Sequence, residues 1–274
     1  MSESTRESPE ILSNKSKSTM PRPPVFLDKE EEREYLKFRL AQAFRIFDSL
    51  GYEEGHTGLV SLRDPVDDNY FWINPKGVHF SLMQPTSLLL VNANGQAVEG
   101  STAPFNNDVF ALHAAIYASR PNVNCIANVS STYGKAFSAF GKELDIITQD
   151  ACVFYKDHAV ARGFPSPGQD ACGEIAVTLG TKKALILQNV GLLVVGPNVE
   201  SALRYFMALD KCCQVQLLAD EASASTGRRP ILIRDEEADY VHRAIGKPSG
   251  GWFSGSVHFA ELEAIEGVSF EYHK

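Results

Sequence analysis

The stretch KALILQNVGLLVVG, residues 183–196, is two short apolar runs folded about Asn189-Val190-Gly191, and it reads as a pair of strands. Directly after it, NVESALRYFMALDKCCQVQLLADEA reads as one long helix. Elsewhere the chain repeats this alternation. Asp28 and Glu31 form a capping-box signature, after which Leu36, Leu40, Phe44 and Phe47 recur at helical spacing until Gly51. Residues 58–100 break into short strands and turns punctuated by Asn-Pro and Asn-Gly. FNNDVFALHAAIYASRP has an Asn/Asp cap, apolar Val109, Leu112 and Ile116, and a proline stop, so it predicts a second helix. NCIANVSSTYGKAFSAF, residues 124–140, predicts a buried strand that breaks into a helix; ITQDACVFY predicts another strand, and GEIAVTLG a further helix. Helices interleaved with mostly antiparallel strands imply an α/β chain, specifically an α/β/α sandwich around a mostly antiparallel sheet.

Residues 1–25 are rich in Ser, Lys, Glu and Pro, cannot bury enough apolar surface to fold, and are expected to form a disordered tail. Residues 26–225 are expected to form the main domain. Residues 226–274 are expected to be a helix-and-loop appendage packed on it. A net charge of −8, with no basic cluster beyond pairs such as Arg228-Arg229, argues against nucleic acid or an anionic membrane as partner. No apolar run has the length of a membrane span, and the start of the sequence lacks a signal-peptide pattern. The five cysteines show no CxxC spacing and fit a reducing compartment, so a cytoplasmic location is expected. Asn128-Val129-Ser130 matches a glycosylation sequon, which has no meaning without secretion.

Phosphate-loop, dinucleotide, nucleophile-elbow and HExxH motifs are all missing, and none of the seven histidines forms an HxH or HxxxH pair. His113 shares a helical face with Val109 and Ile116 and reads as a core histidine; His56, His79 and His158 fall in turn-like segments. Asn128 and Ser130 stand two apart where the strand gives way to the helix, so both side chains point the same way. That spacing would suit two metal-binding imidazoles, yet the residues are an amide and a hydroxyl. A plainer role is also open to them, since Ser130 or Ser131 suits the N-cap of the following helix.

Six fragments in order, SLRDPVDDNYFWINPKGVHFS, VNANGQAVEG, LHAAIYASRPNVNCIA, STYGKAFSAFG, TQDACVFYKDHAV and KALILQNVGLLVVG, make the chain resemble the class II aldolase/adducin family. The resemblance is closest to its fungal-type and adducin-like members and covers about residues 33–260. It implies the α/β/α sandwich and a homo-oligomer, usually a tetramer, with sites at subunit boundaries. It also implies a divalent cation held by three histidines, acting as a Lewis acid on a sugar phosphate. Carried over by position, those histidines fall on Asn128, Ser130 and Val190, and the acidic residue of the helix before Arg120-Pro121 falls on Val109. The polar residue near the substrate phosphate falls on Leu59, while Ser61 and the Asn74-Pro75-Lys76-Gly77 turn are retained.

Neutral Asn and Ser are poor ligands for a borderline metal and Val is none, so no metal and no other cofactor are expected. With Leu59, Val109 and Val190 in place of polar groups, the cleft suits a small, fairly apolar ligand bound by Asn128, Ser130, Ser61, Asn74 and Gly77. One function class is a metal-independent, lyase- or isomerase-like accessory enzyme of specialised metabolism. In it His158 would be the acid/base, because its reference pKa lies near neutral, with Tyr155 and Tyr133 as hydrogen-bond or proton donors. The alternative is a pseudoenzyme, an adducin-like module for oligomerisation or protein contact. Adducins continue into long basic C-terminal extensions, a feature not seen before Lys274.

Overall fold

A computed structural model describes residues 21–54, 57–98, 103–163 and 171–271. Helix α1, Lys29–Ser49, starts where the Asp28 carboxylate accepts the Glu30 N–H, and Glu30, Glu31 and Glu32 place negative charge at the positive end of its dipole. Its stripe of Leu40, Phe44 and Phe47 is buried, and Gly51 in the left-handed region (φ 77°) turns the chain away after the last helical turn.

Seven strands follow in one sheet: β1 Leu59–Arg63, β2 Tyr70–Ile73, β3 Leu89–Asn92, β4 Cys125–Asn128, β5 His158–Ala161, β6 Ala184–Leu187 and β7 Gly191–Gly196. Their order is β3-β2-β1-β4-β7-β6-β5, and every pairing is antiparallel except β5 with β6. The remaining helices are α2 Asn107–Ser119, α3 Thr132–Ser138, α4 Ala171–Leu179, α5 Val199–Thr226, α6 Asp235–Ile245 and α7 Pro248–Glu266. Helices α1, α3, α5 and α7 cover one face of the sheet, burying Phe47, Phe137, Phe206 and Phe259 against Val60, Ala127 and Val194. On the other face, α2 and α4 bury Phe110, Ile116, Ile175 and Leu179 against Leu59, Ile126 and Leu193. Because both faces are covered, β7 is apolar throughout instead of alternating. This is the expected α/β/α sandwich, and no described helix is long and apolar enough to cross a membrane.

Three local expectations need correction. ITQDACVFY is not a strand: Ala151 N–H bonds to Thr148 O and Cys152 N–H to Gln149 O, winding Asp150–Phe154 into a 3-10 turn whose apolar side chains are buried. A short apolar run has the same pattern whether it is a buried turn or a strand. The strand is the next segment, β5, which the sequence had marked as turn-like. An expected homo-oligomer would bury an apolar face of the 106–121 helix or of the 198–223 helix between subunits, but the stripe Val199, Ala202, Phe206 and Leu209 of the latter is buried in the chain's own core. Of the proposed tail, residues 1–20 lie outside the described residues, as do His56 and residues 164–170.

Beyond residue 226 a non-helical stretch, residues 227–234, leads into the two helices α6 and α7. Helix α7 approaches α5 so closely that a Cβ on Gly255 would lie 2.2 Å from the Glu200 carbonyl oxygen. The turn between α6 and α7 is pinned by Lys183, whose Nζ donates to Gly246 O (2.6 Å) and pairs with Asp157 (3.0 Å). Burial, only partly offset by Asp157, lowers the pKa of that ammonium.

Candidate functional site

Strands β1, β4 and β7 bring the positions singled out from sequence to one end of the sheet. Leu59 pairs across the ladder with Asn128, the last residue of β4. The β6–β7 turn carries Val190 between Asn189 and Gly191, both at positive φ (61° and 143°). Asn128 is not open to a ligand on its amide nitrogen, because Nδ2 donates to Leu192 O at 2.7 Å and ties β4 to β7. Ser131 is the α3 cap, its Oγ accepting the Gly134 N–H. Ser130 is thereby released from capping, and its Oγ lies 3.0 Å from Thr57 Oγ1.

The Ser130 hydroxyl lies close enough to the Glu54 carboxylate to help favour its charged form. From α3, Lys135 reaches that carboxylate with Nζ at 2.5 and 2.6 Å from its two oxygens. Bonding to Lys135 first, and the nearby Ser130 hydroxyl to a lesser extent, holds the Glu54 carboxyl below its ordinary pKa. Gly191 has no side chain to occupy the space beside the lysine stem, and a Cβ there would lie 3.7 Å from Lys135 Cγ. An ammonium–carboxylate pair therefore reaches from the 190–191 turn to Ser130. Sequence spacing gave no sign of it, because the partners are 81 residues apart.

The apolar positions have joined the core. Leu59 is buried, and Val109 and Val190 pack partly buried against the same cluster on the α2 side of the sheet. Beside them lies a buried polar knot: Ser61 Oγ is 2.7 Å from His113 Nδ1 and 2.9 Å from the Tyr117 hydroxyl, which donates to Ser61 O. All three side chains are buried, and desolvation lowers the His113 pKa to about 3. His113 is thus a neutral core histidine.

Several expected site residues have structural duties instead. Ser61 is sealed in that knot. Asn74 accepts the Val60 N–H and donates to Gly58 O, fixing the Gly58 turn (φ 100°) against Val129. Leu59 is floor rather than contact surface. Gly77 is exposed at a turn with positive φ (84°), where a Cβ would meet nothing within 4 Å. His158 opens β5, three strands from β4, and both its nitrogens are spoken for: Nδ1 faces Phe154 O (2.7 Å) and Nε2 accepts the Leu144 N–H (3.0 Å). It is a buried bracket rather than an acid/base in this cleft. Tyr155 is buried under α6 with Cys152 and Ala238. Tyr133 is half-exposed, but lines a different cleft with Tyr52, Arg204 and Asp210.

A divalent cation does not fit the donors at positions 128, 130, 190 and 109, which are an amide engaged to backbone, a hydroxyl and two hydrocarbons. Among the described residues, no group of three or more His, Cys, Asp or Glu side chains could hold a metal ion. A cleft of about 380 Å³ opens at the opposite end of the sheet, lined by Tyr35, Arg63, Asp64, Asn124 and Trp252. Its polar groups are engaged internally: Asp64 accepts from Arg33 and Trp72, and Asn124 donates to Pro197 O. At the other end, both side chains of the Glu54–Lys135 pair are 42% exposed.

The family model described as Class II Aldolase and Adducin N-terminal domain matches residues 38–217, and the chain belongs to this family. Decarboxylase NovR of Streptomyces niveus is 39% identical over 85% of this chain and 85% of its own length. A 4-hydroxy-3-prenylphenylpyruvate oxygenase/4-hydroxy-3-prenylbenzoate synthase of Streptomyces roseochromogenus subsp. oscitans is 38% identical over 85% of this chain and 83% of its own. Among solved structures, an L-fuculose 1-phosphate aldolase from Glaciozyma antarctica PI12 superposes with a TM-score of 0.82 at 42% identity, covering 90% of this chain and 95% of that one. Human beta-adducin is 30% identical over 76% of this chain, which spans only 29% of the adducin.

Proposed function

We propose that this chain is a metabolic enzyme that binds a small, largely apolar carboxylic acid at the β1–β4–β7 end of the sheet and acts on it as a metal-independent lyase. The observation that carries this reading is the replacement chemistry of the site. Where the family resemblance implies imidazoles and a carboxylate, this chain has Asn128, Ser130, Val190 and Val109, and the valines have merged with the α2-side core. Such a site offers hydrophobic surface, a few hydrogen bonds and one ion pair, which suits an apolar acid better than a polyhydroxylated phosphate. The names of the two Streptomyces relatives, a decarboxylase and a protein acting on a prenylated phenylpyruvate, point to the same substrate class.

Two competing readings have support of their own. The Glaciozyma aldolase favours a sugar phosphate, and human beta-adducin favours a non-catalytic module that assembles as a homo-oligomer or binds a protein. Calorimetry in chelator-treated buffer separates the three, with phenylpyruvate, 4-hydroxybenzoate and L-fuculose 1-phosphate as probes. Binding of the aromatic acids with no heat from the sugar phosphate supports the proposal. Sugar-phosphate binding alone overturns it in favour of the aldolase reading, and silence from all three leaves the adducin-like module.

A further inference from the structure

We propose that Lys135 is the carboxylate anchor at this end of the sheet and that Glu54 is its resident counter-ion, which an incoming acid displaces. The inference rests on the functional reading above and deepens it by naming the group that selects for acids. Lys135 lies along the Gly191 turn, and its ammonium meets both oxygens of Glu54, with the Ser130 hydroxyl nearby. The positive charge at this end of the sheet is therefore supplied by the chain, between the turn carrying Val190 and the hydroxyl of Ser130. A lysine ammonium is a point charge with rotatable donors, so it can release one carboxylate and take another without a new geometry.

Exposure fits the exchange. Both side chains of the pair are 42% exposed, so a ligand can reach them. An ion pair this accessible contributes little to stability, so breaking it costs little. Glu54 carries the same two oxygens that a substrate carboxylate would present, and Lys135 already holds them in a two-point contact. The apolar remainder of the ligand would lie toward Val190, which neighbours Gly191 in the same turn and is partly buried against the α2-side core. A phosphate has no comparable stand-in here: one ammonium faces one carboxylate, with no arginine in the pair.

The test titrates phenylpyruvate, and its neutral analogue benzyl methyl ketone, into the wild-type protein, Lys135→Met, Lys135→Arg and Glu54→Gln, with melting temperatures as the check on folding. Loss of one charge-assisted contact predicts roughly ten- to hundredfold weaker acid binding in Lys135→Met. Partial recovery is expected in Lys135→Arg and several-fold tighter binding in Glu54→Gln, with ketone binding the same in all four proteins. Acid binding only in Glu54→Gln also supports the exchange, since it shows the counter-ion closing the site. Equal acid binding by wild type and Lys135→Met overturns the anchor while leaving the acid-binding function intact. Failure of both wild type and Glu54→Gln to bind the acid overturns anchor and functional reading together. Should Lys135→Met not fold, unchanged acid affinity in Glu54→Gln overturns the exchange by itself.

Discussion

Acidification from pH 7 to pH 5 should weaken the fold through His113. Its imidazole is buried beside the candidate site with Ser61 and Tyr117, and burial alone takes its pKa from 6.5 down to about 3. In the unfolded chain the same group protonates near its ordinary value. Between these two values the unfolded state binds the extra proton, so the stabilisation from neutral His113 is complete above about pH 6.5 and falls as the pH drops toward 3. The limiting slope is about 1.4 kcal/mol per pH unit, which gives a loss of about 2 kcal/mol between pH 7 and pH 5. Glu200 has the opposite sign, because its raised pKa favours the folded state as the pH falls, and Asp64 and Glu54, both lowered, matter only at lower pH.

Comparison with His113→Asn separates these contributions, since the amide keeps a partner for Ser61 and does not titrate. Urea unfolding at pH 7, 6 and 5 should find the variant less stable at pH 7, with the gap to wild type closing by about 2 kcal/mol at pH 5. Parallel pH dependences would refute the reasoning: His113 would then take a proton in the folded state, and the dry apolar floor ascribed to the site would be wrong.

Three further outcomes follow from the packing. Gly255→Ala forces a Cβ against the Glu200 carbonyl and should cost about 1–3 kcal/mol, read from the denaturant midpoint; an unchanged midpoint would mean that α7 does not pack this closely on α5. Asn128→Ala leaves Leu192 O without its donor and should cost about 1–2 kcal/mol, checked in the same way, while a neutral effect would place Asn128 in solvent. The triple variant Asn128→His, Ser130→His, Val190→His should gain zinc or cobalt binding by calorimetry without gaining sugar-phosphate cleavage, because Leu59 and Val109 still lack polar groups. Absence of metal binding in the folded triple variant would show that the three positions do not converge.

The fold was legible wherever the apolar pattern was long or its boundaries were chemically marked. Asp28 announced α1, and Asn189 and Gly191, both at positive φ, bounded the β6–β7 turn. At 148–158 legibility failed for a physical reason: a 3-10 turn that buries four consecutive residues shows no period, and the edge strand after it opens with a histidine. The site was legible as a set of positions, because strand register carries Asn128 beside Leu59 whatever the side chains are. Roles were harder to read. His158 looked like an acid/base because its partners, Phe154 O and Leu144 N–H, are backbone groups that leave no trace in sequence. Ser130 and Ser131 were equivalent cap candidates until geometry gave the cap to Ser131, and Glu54 and Lys135 meet only through the fold.

Metal content measured together with stability tests most directly the proposal that this chain acts without a divalent cation. Purified wild-type protein, assayed by elemental analysis and melted with and without chelator, should contain well under one equivalent of any transition metal per chain and show the same melting temperature in both buffers. A stoichiometric metal that chelator removes with a fall in melting temperature would contradict the account.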